Sequence, residues 1–163
     1  MKAGLEVHQQ LATGKLFCAC PSNLSEPSLG TIRRRLLATR GEESEIDPAA
    51  RAQAGREFVY EYEVAPESCL VELDEEPPHA INPEALDVAL TIALLLNARV
   101  LDEIEVMRKI VVDGSNTSGF QRTALIAVDG TLEARGRRYS IPTICLEEDA
   151  ARKVGEKQAL VRY

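Results

Sequence analysis

The segment Gly4-Leu5-Glu6-Val7-His8-Gln9-Gln10-Leu11 opens the chain with a carboxylate and an imidazole two positions apart. In an extended strand alternate side chains share a face. Leu5 and Val7 are therefore expected to enter a core while Glu6 and His8 project together from the other side. Such a pair suits divalent-metal binding or proton transfer once a further acid joins it. Glu147-Glu148-Asp149, near the other end, offers that acid. Two readings of this acidic run stay open. Three acids where a strand hands over to a helix would satisfy the dipole and the unpaired N–H groups of the helix start, or one of them turns inward to meet Glu6 and His8.

A second candidate lies between Arg108 and Thr123, where the small residues Gly114-Ser115-Asn116-Thr117-Ser118-Gly119 follow a strand end. Small residues let backbone N–H groups approach a phosphate, and Arg108 and Lys109 could neutralise its charge, with Ser115 and Ser118 alongside. This is not a P-loop, since no Gly-Lys-Ser/Thr follows, and a polar hairpin loop is the alternative. Cys18-Ala19-Cys20 could form half of a zinc site, but Cys69 and Cys145 stand single and distant in the chain. Buried reduced cysteines behave as small hydrophobes, so no complete zinc site is expected. The run Arg33-Arg34-Arg35 reads as a solvated surface patch.

The elements that must position these groups follow from composition and pattern. With 163 residues, 45% hydrophobic and 28% charged, the chain fits one ordinary domain with a core of Leu, Ile, Val and Ala. A net charge of −7 argues against a general affinity for nucleic acid, which needs basic clusters, but not against a nucleic acid gripped by another domain. Neither a signal peptide nor an apolar run long enough to span a bilayer is present, and the cysteines form no secreted framework, so a cytoplasmic location is expected.

Phe58 to Val64 alternates as a half-buried strand, and Cys69 to Leu73 reads as its neighbour. A short helix after Asp47-Pro48 would interrupt the Ser-, Arg- and Glu-rich stretch from Pro21. Asn82-Pro83 caps a helix running to Asn97, apolar nearly all round and so expected to be covered on most sides. Further strands are expected over Val100 to Val112, Ala124 to Val128, Leu132 to Arg135, Tyr139 to Leu146 and Ala159 to Tyr163. Asp129-Gly130 is expected to turn a hairpin, and Glu148 to Val154 to form a short helix ended by Gly155. Hairpins without strand–helix–strand alternation predict an antiparallel α+β fold.

The stretches Gly-Leu-Glu-Val-His-Gln-Gln-Leu, Lys-Leu-Phe-Cys-Ala-Cys-Pro, Cys-Leu-Val-Glu-Leu-Asp-Glu-Glu-Pro-Pro, Val-Met-Arg-Lys-Ile-Val-Val-Asp-Gly-Ser-Asn-Thr-Ser-Gly-Phe-Gln-Arg-Thr and Cys-Leu-Glu-Glu-Asp-Ala-Ala resemble the GatB/GatE family in order and spacing. The likeness covers nearly the whole chain and points to the archaeal E branch. It implies the N-terminal part of a cradle-shaped α+β catalytic domain, distantly like glutamine synthetase. The implied activity is ATP- and magnesium-dependent phosphorylation of the γ-carboxylate of glutamate mischarged on tRNA(Gln). Ammonia from an asparaginase-like partner, the D subunit of the amidotransferase, then displaces the phosphate. The resemblance also implies metal ligands at Glu6, His8 and Glu148, with Glu147 beside it.

Magnesium prefers carboxylate oxygen and water, and the histidine makes manganese an allowed substitute. A further glutamate ligand is expected in a Pro-Leu-Ile-Glu stretch after the position of Tyr163, and the helical and tail domains that hold tRNA are expected beyond it. The fragment alone is therefore expected to fold without catalysing. Zinc-binding members of the B branch carry a Cys-x-x-Cys pair after the first Cys-x-Cys. The loop after Pro21 has none, which again argues against zinc. The alternative to an enzyme domain is a scaffold that docks the amidase and guides ammonia.

Overall fold

Asn82 starts the helix as expected. Its Oδ1 accepts from the amides of Glu84 and Ala85 at 2.9 and 3.3 Å, and Pro83 takes the first turn, where an N–H would be unpaired. Helix α1 spans Pro83–Leu95 in the computed structural model, which describes residues 4–23, 28–35, 59–73, 75–110, 120–149, 155–157 and 160–162. It ends in a Schellman motif. Asn97 adopts a φ of 51°, its amide donates to Leu94 O at 3.1 Å, and that of Ala98 donates to Ala93 O at 2.8 Å.

Only the narrow stripe Ala85, Ala89 and Ala93 is buried, against β5 and β6 (below), while Leu94 and Leu95 stay 72% and 76% exposed. The expectation of cover on most sides is thus corrected. The three alanines recur every fourth residue and let the helix backbone come close to the sheet, which sends the bulkier neighbours outward.

That sheet is antiparallel and built around β5 (Phe120–Ala134), with β3 (Arg99–Val100) and β4 (Val106–Ile110) on one side and β6 (Arg137–Asp149) on the other. The hairpin turns at Arg135-Gly136, with φ of 51° and 70°, and not at Asp129-Gly130. β5 runs straight through Asp129, whose φ is 60°, and the buried Gly130 has a tertiary cause. A Cβ there would lie 3.2 Å from Ala98 Cβ and 3.3 Å from Ile141 Cβ, because the helix end docks on the strand and Leu96 O accepts from Thr131 N–H at 2.6 Å. Leu125 pairs with Cys145 but Ala127 with Ile144, so Ile126 is the extra residue of a bulge and is fully buried.

A second sheet, in the order β1-β2-β8-β7, comprises β1 (Gly30–Arg34), β2 (Val59–Val64), β7 (Gly155–Lys157) and β8 (Leu160–Arg162). β2 and β8 run parallel and the other pairs antiparallel. The expected strands at 58–64 and 159–163 are present as β2 and β8. The fold is sheet-rich with antiparallel pairing and one helix among the described residues, in agreement with α+β.

Other expectations change. Residues 4–11 join no sheet among the described residues, and Leu5 and Val7 are exposed rather than core. Without a paired neighbour the alternation has no surface to sort against. Cys69 to Leu73 is a turn and not a strand: Leu73 N–H donates to Cys69 O at 3.3 Å and Glu75 N–H to Leu70 O at 2.9 Å. Val71 and Glu72 are consequently both buried, which alternation forbids. The acidic run extends β6 to Asp149 instead of opening a helix at Glu148.

The arginine run is no plain surface patch. Arg34 lies 5.3 Å over the Tyr62 ring and bonds Leu73 O and, at 2.9 Å, Glu75, while Arg33 Nε meets Glu61 at 2.7 Å. The segment after Asp47-Pro48, the loop Gly114–Gly119 and residues 150–154 lie outside the described residues. No described helix is long and apolar enough to cross a membrane. The core gathers Phe17, Val71, Ala89, Ala124, Ile126 and Leu146.

Candidate functional site

The register of β5 on β6 sorts the acidic run. Arg122 pairs with Glu148, Thr123 with Glu147 and Gln121 with Asp149. Directly paired residues share a face and successive ones alternate. Glu148 therefore lies with Leu146, Ala124 and Arg122 on the core side, whereas Glu147 and Asp149 lie on the other.

On the core side Arg122 is 2% exposed, its Nη1 stands 3.0 Å from Glu148 Oε1, and Nη2 donates to Val71 O. Glu148 Oε2 is buried with no hydrogen-bond partner among the described residues. Burial pushes this carboxyl above its ordinary range, against the opposing charge and hydrogen bond of Arg122. On the other side Gln121 Nε2 donates to Asp149 Oδ1 at 2.6 Å and Thr123 Oγ1 to Glu147 Oε1 at 3.3 Å.

The opening segment reaches this outer face. His8 Nδ1 lies 3.9 Å from Glu147 Oε2 and His8 Nε2 lies 3.8 Å from Glu6 Oε2. Both separations exceed hydrogen-bond length. The imidazole sits between two carboxylates with one nitrogen toward each. One nitrogen can thus take a cation while the other orients the ring by donating to the remaining carboxylate. The structure gathers Glu6, His8 and Glu147. It does not bring Glu148 to them, since that residue is held by Arg122 from the opposite face of β6. The donor set of two carboxylates and one imidazole fits a hydrated magnesium or manganese ion. Arg108 and Lys109 pair with Arg122 and Gln121 across β4 and β5, so Lys109 occupies the same register row as Asp149. Ser115 and Ser118 lie outside the described residues.

A second cluster stands where Phe17, fully buried, pins the following residues against the 69–73 turn. Phe17 O accepts from His79 N–H at 3.0 Å, and Leu16 O from Asn82 N–H at 2.9 Å. Cys18, Cys20, Cys69 and Glu72 each offer a ligand atom, and these atoms all lie within 4.8 Å of one another. Glu72 Oε2 accepts from Cys69 N–H at 2.7 Å, and its Oε1 meets Cys18 Sγ at 3.6 Å and the Lys15 ammonium. Lys15 also donates to Glu67 O at 2.6 Å. Burial pushes the Cys18 thiol up to about 12 and raises Cys20 as well. Cys69 is therefore distant only along the chain; the turn carries it to the Cys-x-Cys pair. Cys145 stays exposed on β6.

Lys15, Glu72, Arg122 and Thr123 were not singled out by sequence reasoning. A signal for the last two was present, since Gln-Arg-Thr between apolar strand residues must place a charge and two polar groups on alternate faces. For Glu72 there was none: an acid within Cys-Leu-Val-Glu-Leu reads as the exposed position of a strand.

The GatB/GatE catalytic domain profile matches residues 1–163. The chain is 51% identical over 166 residues to the E subunit of glutamyl-tRNA(Gln) amidotransferase from Aeropyrum pernix, and 51% identical over 164 residues to that from Sulfurisphaera tokodaii. The corresponding protein from Thermoplasma volcanium is 49% identical over 163 residues. Each match covers 100% of this chain and 26 or 27% of the relative, so the chain spans about a quarter of the length of these proteins. Over its whole length, from Glu6 and His8 to the acidic end of β6, the chain belongs to the GatB/GatE catalytic domain family.

Proposed function

We propose that this chain carries the activating centre of a tRNA-dependent amidotransferase and uses ATP and a divalent cation on glutamate mischarged to tRNA(Gln). The observation that carries this reading is the meeting of His8 with both Glu6 and Glu147, residues from opposite ends of the chain. In the proposed reaction a γ-carboxylate oxygen attacks the γ-phosphorus of ATP and ADP leaves. Ammonia then adds to the acyl carbon and phosphate departs, giving Gln-tRNA(Gln). Phosphoryl transfer asks for positioning and charge neutralisation rather than a covalent protein group.

A bound magnesium or manganese ion would supply neutralisation of the phosphate oxygens. Glu6, His8 and Glu147 are the residues proposed to hold it. Glu148 keeps Arg122 in place behind them. Lys109 and Arg108, with Ser115 and Ser118, are proposed to receive the triphosphate. Ammonia is proposed to come from an asparaginase-like amidase partner, with the tRNA gripped mainly by other domains of the full-length protein. The net charge of −7 supports that division, because a long polyanion is poorly held by an acidic surface.

The test is Glu6→Ala and, separately, His8→Ala in the full-length protein paired with its amidase. ADP release that depends on Glu-tRNA(Gln) is expected to vanish, while the amidase still liberates ammonia. Full transamidation by either variant overturns the assignment. Lys109→Ala is expected to weaken ATP use more than tRNA binding, and the reverse pattern moves Lys109 to the tRNA.

A further inference from the structure

We propose that Cys18, Cys20, Cys69 and Glu72 bind one zinc ion, which ties the opening segment to the 69–73 turn. Three sulfurs and one carboxylate oxygen within 4.8 Å of one another make a four-donor set of the kind that closes a structural zinc site. With Zn–S of about 2.3 Å and Zn–O of about 2.0 Å, a tetrahedral site has a sulfur–oxygen edge of about 3.5 Å. Cys18 Sγ and Glu72 Oε1 already stand 3.6 Å apart. The remaining donors close the difference by side-chain rotation alone, because their backbones are fixed by Phe17 and by the Leu73–Cys69 turn bond.

The charges around the cluster fit the same occupant. A divalent ion with three thiolates and a carboxylate is a net anion, and the Lys15 ammonium lies on Glu72 where it offsets that charge. Sulfur-rich donors select zinc over magnesium, so this site and the carboxylate face of β6 would not compete for one metal. Its role would be structural: no position is left open for a substrate, and the ligands sit beside the core residue Phe17. The ion would hold residues 15–20 in place and thereby fix where the chain carrying Glu6 and His8 departs from the core.

The full-length protein, purified without chelator, is expected to hold one equivalent of zinc by elemental analysis. Replacement with cobalt(II) is expected to produce the thiolate charge-transfer band and the intense visible bands of a tetrahedral site. Cys20→Ser and Cys69→Ser should each weaken cobalt binding by more than the roughly 10–100-fold that an outer-shell partner costs, and Lys15→Met by about that amount. Cys145→Ser should bind as the parent does. Cobalt titration of refolded protein, followed by its own absorption, reads affinity even for variants that yield little metal on purification. Four outcomes overturn the site: no metal at stoichiometry, unchanged cobalt affinity in Cys69→Ser, an unaltered spectrum in Glu72→Gln, or a disulfide among Cys18, Cys20 and Cys69 in protein handled under reducing conditions.

Discussion

The two donor clusters hang from the same short opening segment but are built to different standards. Glu6 and His8 side chains are 93% and 71% exposed, and His8 approaches Glu147 only at 3.9 Å. Cys18 and Cys20, a few residues on, are half-buried beside a fully buried Phe17 and face a turn whose own carboxylate is hydrogen-bonded to the backbone. The first cluster is held at one end only, by Glu147 on β6. The second is held on every side. A site meant to admit substrates and exchange water suits the first arrangement, and one meant to stay closed suits the second.

The largest break in this comparison should come from Phe17→Ala. Truncating a fully buried phenylalanine costs about 3–5 kcal/mol, read as a lowered denaturation midpoint at unchanged slope. Because Phe17 anchors both the cysteines and the approach of His8, the thiols should also become freely alkylated. Protection of Cys18 and Cys20 in a destabilised variant would show that the turn alone holds them.

A smaller loss is expected for Asn82→Ala, about 1–2 kcal/mol by thermal unfolding. Asn82 caps α1 and also donates from Nδ2 to Lys15 O at 3.2 Å, so its loss loosens the cysteine cluster through Lys15 and leaves the β5–β6 faces unchanged. Serine at this position should recover the cap but not the bond to Lys15, which separates the two contributions.

The core side of β6 answers to pH. Burial raises the Glu148 carboxyl in the folded state, so the protonated form is favoured there. Its contribution to stability is complete below the ordinary carboxylate range and is lost as pH rises through the raised folded value. Glu148→Gln, which keeps a neutral oxygen toward Arg122, should flatten that part of the stability–pH curve. An unchanged curve would place the titration elsewhere.

The smallest stability effect belongs to the proposed activating centre. Glu6→Ala and His8→Ala should shift stability by no more than about 0.5 kcal/mol, as exposed substitutions do, even where ATP-dependent activation is lost. A large destabilisation by either would mean that the exposed cluster is structural after all and would erase the contrast between the two.

Much was legible in the sequence because it rests on local geometry or on residue type. The helix start at Asn82-Pro83 was readable, since capping needs only neighbours along the chain. So were the strands over 59–64 and within 120–149, where alternation is written residue by residue, and the pairing of Glu6 with His8. What failed depended on what lies across space. Asp129-Gly130 has the composition of a turn, yet Gly130 is there because Ala98 and Leu96 press on it. Leu5 and Val7 alternate like a strand that has no partner among the described residues.

The residue types fixed the available donors: carboxylates and one imidazole at the ends of the chain, and thiols at 18, 20 and 69. Tertiary structure decided which of them meet. The two-residue period of β6 turns Glu147 toward His8 and Glu148 into the core, and the register with β5 gives Glu148 the buried Arg122 as its partner. A tight turn, not a strand, brings Cys69 and Glu72 to the Cys-x-Cys pair. Chemistry is local to a side chain, but a site is a set of distances, and distances between residues far apart in the chain are set only when strands pair and turns close.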